Sequence, residues 1–304
     1  MPFCLPTLTS HTLKPQDNDI RPKYAREYIP NAVFYIPFGY YYAVRLGTVW
    51  KLLSWMLIYS MPTAFYSWLT FNGEWWMFAI NYMLLLIAVF SLYELGYIFN
   101  DTVAIRCEEQ PAIRLYEHNF RHYRHYSYLI VMARIFYANQ AIGLLWALNN
   151  SWHTFDNRHL LLVCGCIVAM LLTFTAYNLW RNKYNAWLYP ILVFSRYLPY
   201  MLLYRIDGWG ILMLWLSFPC VNMLERFSMP KYRFHVMRRI IPTEDSKTLF
   251  RAIYYLIVLI VPFILPGSII ETYKYLVPIG ILCFYRLLLL FVVKHHRPKN
   301  YLNG

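Results

Sequence analysis

Long apolar stretches separated by short polar segments dominate this chain of 304 residues. A helix needs about 20 mostly apolar residues to cross the hydrocarbon core of a bilayer. The stretches that reach or approach this length are 50–71, 75–98, 126–148, 159–180, 187–206, 209–226, 249–266 and 271–293. The pattern therefore predicts an all-α, polytopic membrane protein with eight transmembrane helices.

A shorter apolar segment, 32–46, precedes the first of these stretches; it is rich in tyrosine and is interrupted by Pro37. We expect it to lie along the membrane interface, although it would form a ninth helix if it crossed. Residues 1–31 are polar and are predicted to be a cytosolic arm. The transmembrane domain is then expected to cover 32–293, with a cytosolic tail over 294–304.

The composition supports this class of protein, with 59% hydrophobic, 20% aromatic and only 14% charged residues. These values exclude a soluble globular enzyme, a disordered tail and a secreted disulfide scaffold. The 29 tyrosines and 11 tryptophans are typical of the aromatic belts at membrane interfaces. The six cysteines show no metal-ligand spacing, so we interpret them as reduced packing residues.

The basic residues predict the orientation of the chain in the membrane. Most of the 28 lysines and arginines gather on one side if both termini share it with the loops 99–125, 181–186 and 227–248. The positive-inside rule then places that side in the cytosol, in a bacterial inner (cytoplasmic) membrane. This topology explains the net charge of +13, so no nucleic-acid partner is predicted.

Ionisable residues also occur inside the predicted spans, at Glu94, Arg134, Arg196 and Arg286. Such residues are costly in a membrane and usually mark function. At 1.5 Å per residue they lie roughly 7–14 Å from the cytosolic ends of their helices. We therefore predict a polar cavity that is open to the cytosol and suits an anion such as phosphate. The alternative is that one arginine pairs with Glu94 as a structural bridge and the others snorkel.

Acidic and amide side chains cluster where the second predicted span ends, in the sequence YELGYIFND (93–101). If the helix continues, Glu94, Asp101 and Glu108 lie on one face, since they are seven residues apart. The oxygen-bearing side chains of this cluster, those of Asn100, Asp101, Glu108 and Glu109, lie beside a basic cavity and indicate a Mg²⁺ site. The alternative is a helix-end carboxylate followed by a solvated acidic turn.

This cluster resembles a known motif. Asn100-Asp101 followed by Glu108 is similar to the N-D-x-x-D-x-x-x-D motif of the UbiA superfamily of intramembrane prenyltransferases. In that family the motif follows the second span on the cytosolic side and binds Mg²⁺ and a diphosphate. The family's next basic stretch, with a proline and an arginine, is similar to 110–114. The chain departs from the family at Ala104, which replaces the middle aspartate, and at Glu108, which replaces the last.

The second functional loop of that family follows the sixth span and corresponds here to 227–248, which is mostly basic. In this respect the chain resembles the branch that acts on polyprenyl phosphate. The resemblance implies a UbiA-like helical bundle whose transmembrane domain is catalytic and whose active site faces the cytosol. It also implies Mg²⁺-dependent transfer of a 5-phosphoribosyl group from a pyrophosphate-bearing donor to polyprenyl phosphate.

The resemblance and the charges together single out candidate site residues. The predicted catalytic carboxylates are Asp101, Glu108 and Glu225, and the predicted Mg²⁺ ligands are Asn100, Asp101 and Glu108. The predicted substrate contacts are Asn100, Arg106, Arg114, Arg134, Arg196, Asn222, Arg226 and Lys231.

Two rival functions remain open at this point. The first is a prenyl-diphosphate-dependent prenyltransferase that acts on an aromatic or other small acceptor. It needs a second carboxylate cluster, which Glu225, Glu244 and Asp245 would have to form. The second rival is an anion or lipid-phosphate transporter, which requires a polar outward pathway.

Overall fold

A computed structural model gives the structure of most of the chain. It describes residues 28–107, 113–180, 185–229, 232, 234–264 and 269–296. This part of the chain is helical and contains no β-strand. Among the sequence-predicted site residues, Glu108 and Lys231 lie outside it, as does the side chain of Arg106.

The α-helices follow the predicted apolar stretches closely. They are α1 Val49–Trp55, α2 Met61–Thr70, α3 Trp75–Thr102, α4 Glu117–Trp152, α5 Asn157–Leu179, α6 Asn185–Ser195, α7 Leu198–Leu203, α8 Gly208–Ser217, α9 Pro219–Phe227, α10 His235–Ile240, α11 Glu244–Ile264 and α12 Ile269–His296. Short 3₁₀-helices span Asn31–Phe34 and Ala104–Cys107, and π-helices span Tyr41–Leu46 and Met56–Ser60.

Four of these helices are long and apolar enough to cross a membrane, among the residues that the structure describes. They are α3, α4, α5 and the segment Tyr273–Val292 of α12. The prediction of an all-helical chain that contains helices long and apolar enough to cross a membrane is therefore confirmed for the described residues. The full count of eight or nine spans and the UbiA-like arrangement stay predictions.

Proline interrupts two of the predicted spans. The stretch 187–206 is broken after Ser195, and α7 restarts with Pro199 in its first turn. The stretch 209–226 is broken at Phe218, and Pro219 begins α9. Proline has no N–H to continue the helix ladder, but it fits the first turn of a new helix.

The chain divides into two compact units. Unit 1 comprises the residues up to Ser54 together with Phe71–Arg205, and unit 2 comprises Trp55–Thr70 together with the chain from Ile206 onward. Helices α3 to α7 therefore belong to unit 1, and α8 to α12 belong to unit 2.

In unit 1, α3 packs against α4 and α5. A glycine permits the close approach of α3 to α5, since a Cβ atom on Gly96 would lie 2.1 Å from the ring of Phe174. The Asn178 amide of α5 also donates a hydrogen bond of 2.9 Å to the Gly96 carbonyl. Small residues are common where membrane helices meet closely.

The segment 32–46 packs on the same helices. It is not one continuous helix, because a turn with Phe38 at φ 64° separates its 3₁₀ and π parts. Phe34 and Tyr40 are fully buried in a core cluster with Ile98 and Ile130. The segment thus contributes to the core of unit 1, a role that the sequence pattern does not reveal.

In unit 2, α11 packs along α12 and also contacts α9. The break at Phe218 leaves backbone carbonyls near the end of α8 without their usual helical donors. Two tyrosines of α11 supply replacements: Tyr254 donates to the Leu216 carbonyl at 2.8 Å, and Tyr255 donates to the Ser217 carbonyl.

Candidate functional site

Glu94, in the middle of the buried face of α3, forms an ion pair with Arg134 of α4. Both side chains are completely inaccessible to solvent. The carboxylate also accepts hydrogen bonds from the backbone N–H groups of Phe38, at 2.9 Å, and Tyr41, at 2.6 Å. These contacts correspond to the structural bridge that the sequence left open as an alternative.

Arg134 uses its other donors on the same N-terminal segment. Its Nε donates to the Phe34 carbonyl at 2.8 Å, and its Nη2 donates to the Val33 carbonyl at 3.0 Å. A buried charge needs such a set of partners to offset its loss of hydration. The Glu94–Arg134 pair therefore fastens 33–41 to α3 and α4.

Asp101, two helical turns beyond Glu94, is the centre of a second polar cluster, and its side chain is also fully buried. Arg45 Nη2 lies 2.7 Å from both carboxylate oxygens. Arg114 Nη1 donates at 3.3 Å, the Asn100 amide at 2.9 Å and the Tyr40 hydroxyl at 3.0 Å. The structure thus brings together the predicted residues Asn100, Asp101 and Arg114.

The Tyr40 hydroxyl is a dependable donor in this cluster. Burial, and then the charge of Asp101, raise the pKa of Tyr40 well above its ordinary value. The hydroxyl is consequently protonated at physiological pH and donates to the carboxylate.

Arg45 is the main participant that sequence reasoning missed, because it lies in the segment interpreted as interfacial. Its guanidinium carbon is 4.5 Å from the ring centroid of Tyr97, a cation–π distance. Its Nε is buried and has no hydrogen-bond acceptor in the part of the chain that the structure describes. The one usable signal in the sequence was a lone arginine that ends a tyrosine-rich stretch.

Arg196 lies at the break between α6 and α7 and is only 3% exposed. Its guanidinium carbon is 5.0 Å from the ring centroid of Tyr93, and its Nε is 3.4 Å from the Val193 carbonyl.

The ring of Phe174 lies 4.8 Å from that of Tyr93 and 5.1 Å from that of Tyr97, centroid to centroid. We refer to Tyr41, Tyr93, Tyr97 and Phe174 as the aromatic cluster, since Tyr41 stacks on Tyr97 at 5.5 Å.

Among the described residues of this region, arginines outnumber carboxylates. The carboxylates are Glu94 and Asp101, and the arginines are Arg45, Arg114, Arg134 and Arg196. Glu94 neutralises Arg134, so Asp101 is the one described carboxylate that Arg45 and Arg114 share. Such a surplus, near a long apolar helix, favours an anionic ligand.

The described residues alone do not form a Mg²⁺ site in this cluster, and the predicted ligand Glu108 lies outside them. Both oxygens of Asp101 already accept hydrogen bonds from cationic or polar donors. No group of three or more metal-ligating side chains was found in the described ranges. The helix expected to place Glu94, Asp101 and Glu108 on one face ends at Thr102, and a 3₁₀-helix follows after Val103. Whether Glu108 is a ligand therefore stays a prediction.

The described residues predicted from the second loop, Asn222, Glu225 and Arg226, lie on α9 in unit 2. Glu225 is bound by Arg251 of α11, with Nε–Oε1 and Nη2–Oε2 distances of 2.5 and 2.6 Å. The guanidinium carbon of Arg226 is 5.8 Å from the Tyr232 ring centroid, and Asn222 is half-buried one turn before Glu225. Sequence reasoning missed Arg251, which lies just inside a predicted span.

Comparisons with known proteins identify no relative of this chain. No protein-family model matches the sequence, and no curated protein and no solved structure is similar enough to count as a match. Function is therefore inferred from the contacts described above.

Proposed function

We propose that this chain is a membrane-embedded transferase of UbiA-like design that moves a 5-phosphoribosyl group from a pyrophosphate donor to polyprenyl phosphate. The observation that favours this proposal most is the convergence of Arg45 and Arg114 on Asp101 at the end of α3. The guanidinium group of arginine can bind two phosphate oxygens at once, and Asp101 holds Arg45 and Arg114 in position to do so.

The remaining donors of Arg45 support a phosphate ligand. A guanidinium has five N–H donors, and the contacts of Arg45 with Asp101 involve only its Nη2. The buried Nε has no described acceptor. An oxygen of pyrophosphate that reached this nitrogen would accept its hydrogen bond. The pyrophosphate would then lie beside a positive charge that is already fixed in position before binding.

The proposed reaction exchanges one C–O bond for another. The bond from the anomeric carbon to pyrophosphate breaks, and its electron pair leaves with pyrophosphate. An oxygen of the polyprenyl phosphate forms the new bond to the same carbon. Arg45 and Arg114 would stabilise the charge that grows on the leaving group, where fixed cations are most effective.

The roles of the deeper arginines differ in this proposal. The donors of Arg134 are directed at Glu94 and at two backbone carbonyls, so we assign Arg134 to holding the N-terminal segment. Arg196, beside the aromatic cluster, stays a candidate contact for the donor's pyrophosphate. No step is assigned to Mg²⁺, because Glu108, one of its predicted ligands, lies outside the described residues.

The direct test is transfer by the purified protein. Incubation with polyprenyl phosphate and labelled phosphoribosyl pyrophosphate should give labelled lipid, and Asp101→Asn should lose this activity. Glu117→Gln, which alters an exposed pair with Arg121, is the matched control. Chelation with EDTA tests the predicted metal separately. Wild-type protein that labels no lipid when Mg²⁺ is supplied would contradict the proposal.

The prenyltransferase remains a second candidate because of the aromatic cluster. Neighbouring tyrosine and phenylalanine rings, of which Tyr41 and Tyr97 are stacked, suit a donor that becomes an allylic cation, since ring faces stabilise cations. Labelled prenyl diphosphate with a small aromatic acceptor tests it. A prenylated product, without transfer from phosphoribosyl pyrophosphate, would favour this alternative.

A further inference from the structure

Arg286 occupies a place on α12 where an apolar side chain is expected. The buried residues Tyr275, Ile279 and Leu282 precede it at helical spacing, and they form the face of α12 that is turned away from solvent. Arg286 continues this face and is only 7% exposed. It lies inside the segment Tyr273–Val292, which is long and apolar enough to cross a membrane.

The surroundings of Arg286 do not neutralise it. Its Nε is buried without a hydrogen-bond acceptor among the described residues. Its guanidinium carbon lies 5.3 Å from the ring centroid of Tyr285, a contact that only partly offsets the loss of water. A buried charge without such partners lowers the stability of the protein, and membrane proteins retain such a charge where it has a function.

A second arginine lies close to Arg286. Arg251 of α11 interacts electrostatically with it, as do Glu225 and Tyr255. The fork of Arg251 binds both oxygens of Glu225, so this carboxylate is already committed to Arg251. Among the described residues, two guanidinium groups and one carboxylate thus lie together, and these three side chains carry two positive charges and one negative charge.

We propose that Arg251 and Arg286 form a phosphate-binding site in unit 2, with Glu225 holding Arg251 in place. A phosphate group would accept a hydrogen bond from the buried Nε of Arg286 and would place a negative charge beside its guanidinium. The side chain of Arg251 is 32% exposed, so the site is open at one end. Glu225 is then a positioning residue for this site.

The ligand chemistry is a phosphate monoester or a free phosphate. The position of Arg286 within a candidate membrane span favours a phosphate carried by a lipid. If the proposed function is correct, on which this identification rests, the lipid is the polyprenyl phosphate acceptor. The site itself depends only on the buried charges.

The experiment measures the thermal unfolding midpoint of the full chain in maltoside micelles, which contain no phosphate. Polyprenyl phosphate, polyprenol, inorganic phosphate and pyrophosphate are titrated separately. Ligands that bind the folded state raise the midpoint with concentration. We expect polyprenyl phosphate to raise it and polyprenol not to. A rise with inorganic phosphate as well would identify the headgroup alone as sufficient.

The decisive variant is Arg286→Gln, which we expect to weaken anion binding at least tenfold. The control is Arg158→Gln, which removes an exposed charge at the start of α5 and should bind as the wild type does. Arg286→Lys keeps the positive charge but loses the paired N–H groups of the guanidinium, so its affinity for the anion should be intermediate. The same variant replaces Arg286→Gln in the test if Arg286→Gln does not fold. Wild-type protein that no anion stabilises, or an Arg286→Gln variant with unchanged affinity, would overturn the site.

Binding is measured without any donor, so this result is independent of turnover. Loss of anion binding in Arg286→Gln would support the site even if no transfer is observed. If the wild type shows transfer activity and Arg286→Gln binds the anion unchanged, the phosphate site in unit 2 is wrong but the proposed function is still supported.

Discussion

Arg134 of α4 forms a fully buried ion pair with Glu94 of α3, and both partners also bind the backbone of residues 33–41. The sequence places these charges in two different apolar helices, so each alone suggests a ligand site. Together they hold an N-terminal segment in the core of unit 1. The second polar cluster, around Asp101, is assembled on that segment through Tyr40 and Arg45.

Breaking this pair should destabilise the protein strongly. Glu94→Gln leaves the Arg134 charge buried without a carboxylate, which typically costs about 3–5 kcal/mol in the free energy of unfolding. Replacing both residues, as in Glu94→Gln with Arg134→Met, should recover part of that loss because no uncompensated charge is left. Denaturant titration in detergent measures both effects.

The control for this prediction is Glu117→Gln. Glu117 and Arg121 form an exposed pair one turn apart, and such pairs contribute little to stability. Equal stability of Glu94→Gln and Glu117→Gln would show that the buried pair is unimportant.

Asp101→Asn should reduce the proposed transfer reaction about 100-fold, which corresponds to roughly 2.7 kcal/mol of transition-state stabilisation. The amide keeps the size of the side chain but lacks the charge that holds Arg45 and Arg114 side by side. Initial rates at saturating and limiting donor give kcat and kcat/KM. Wild-type values for both would rule out a role of Asp101 in the reaction.

Arg45→Lys should weaken pyrophosphate binding more than Arg114→Lys does. Arg45 contacts both oxygens of Asp101 at 2.7 Å and has the buried free Nε, whereas Arg114 contacts one oxygen at 3.3 Å. Lysine cannot reproduce a fork, so we expect at least a tenfold loss for Arg45→Lys and a few-fold loss for Arg114→Lys. Competition by unlabelled pyrophosphate in the transfer assay measures both. The reverse order of effects would count against Arg45 as the principal contact.

Gly96→Ala should destabilise unit 1 by about 1–3 kcal/mol, the usual cost of overpacking a dense core. The added methyl group would overlap the ring of Phe174, which is itself buried. Gly165→Ala is the matched control, because a Cβ atom there meets nothing within 4 Å. The two variants are compared by thermal unfolding in the same detergent, and the idea fails if Gly96→Ala unfolds at the wild-type temperature.

Part of the candidate site was accessible to sequence reasoning. Asn100, Asp101 and Arg114 are close in the chain, and the structure joins them at the end of α3. Arg45 and Arg251 were missed, because each belongs to a segment distant in sequence from the carboxylate that it binds. No local pattern connects residues that are brought together only by packing.

The length of the apolar stretches alone determined that this chain is helical and has helices long and apolar enough to cross a membrane, since apolar helices satisfy their own backbone hydrogen bonds within one segment. The same sequence placed Glu94, Arg134 and Arg286 at membrane depth without their partners. Only the tertiary structure decided that Glu94 neutralises Arg134 while the Nε of Arg286 has no acceptor among the described residues. The reason is that the cost of a buried charge depends on the groups within a few ångströms of it, and helix packing supplies those groups.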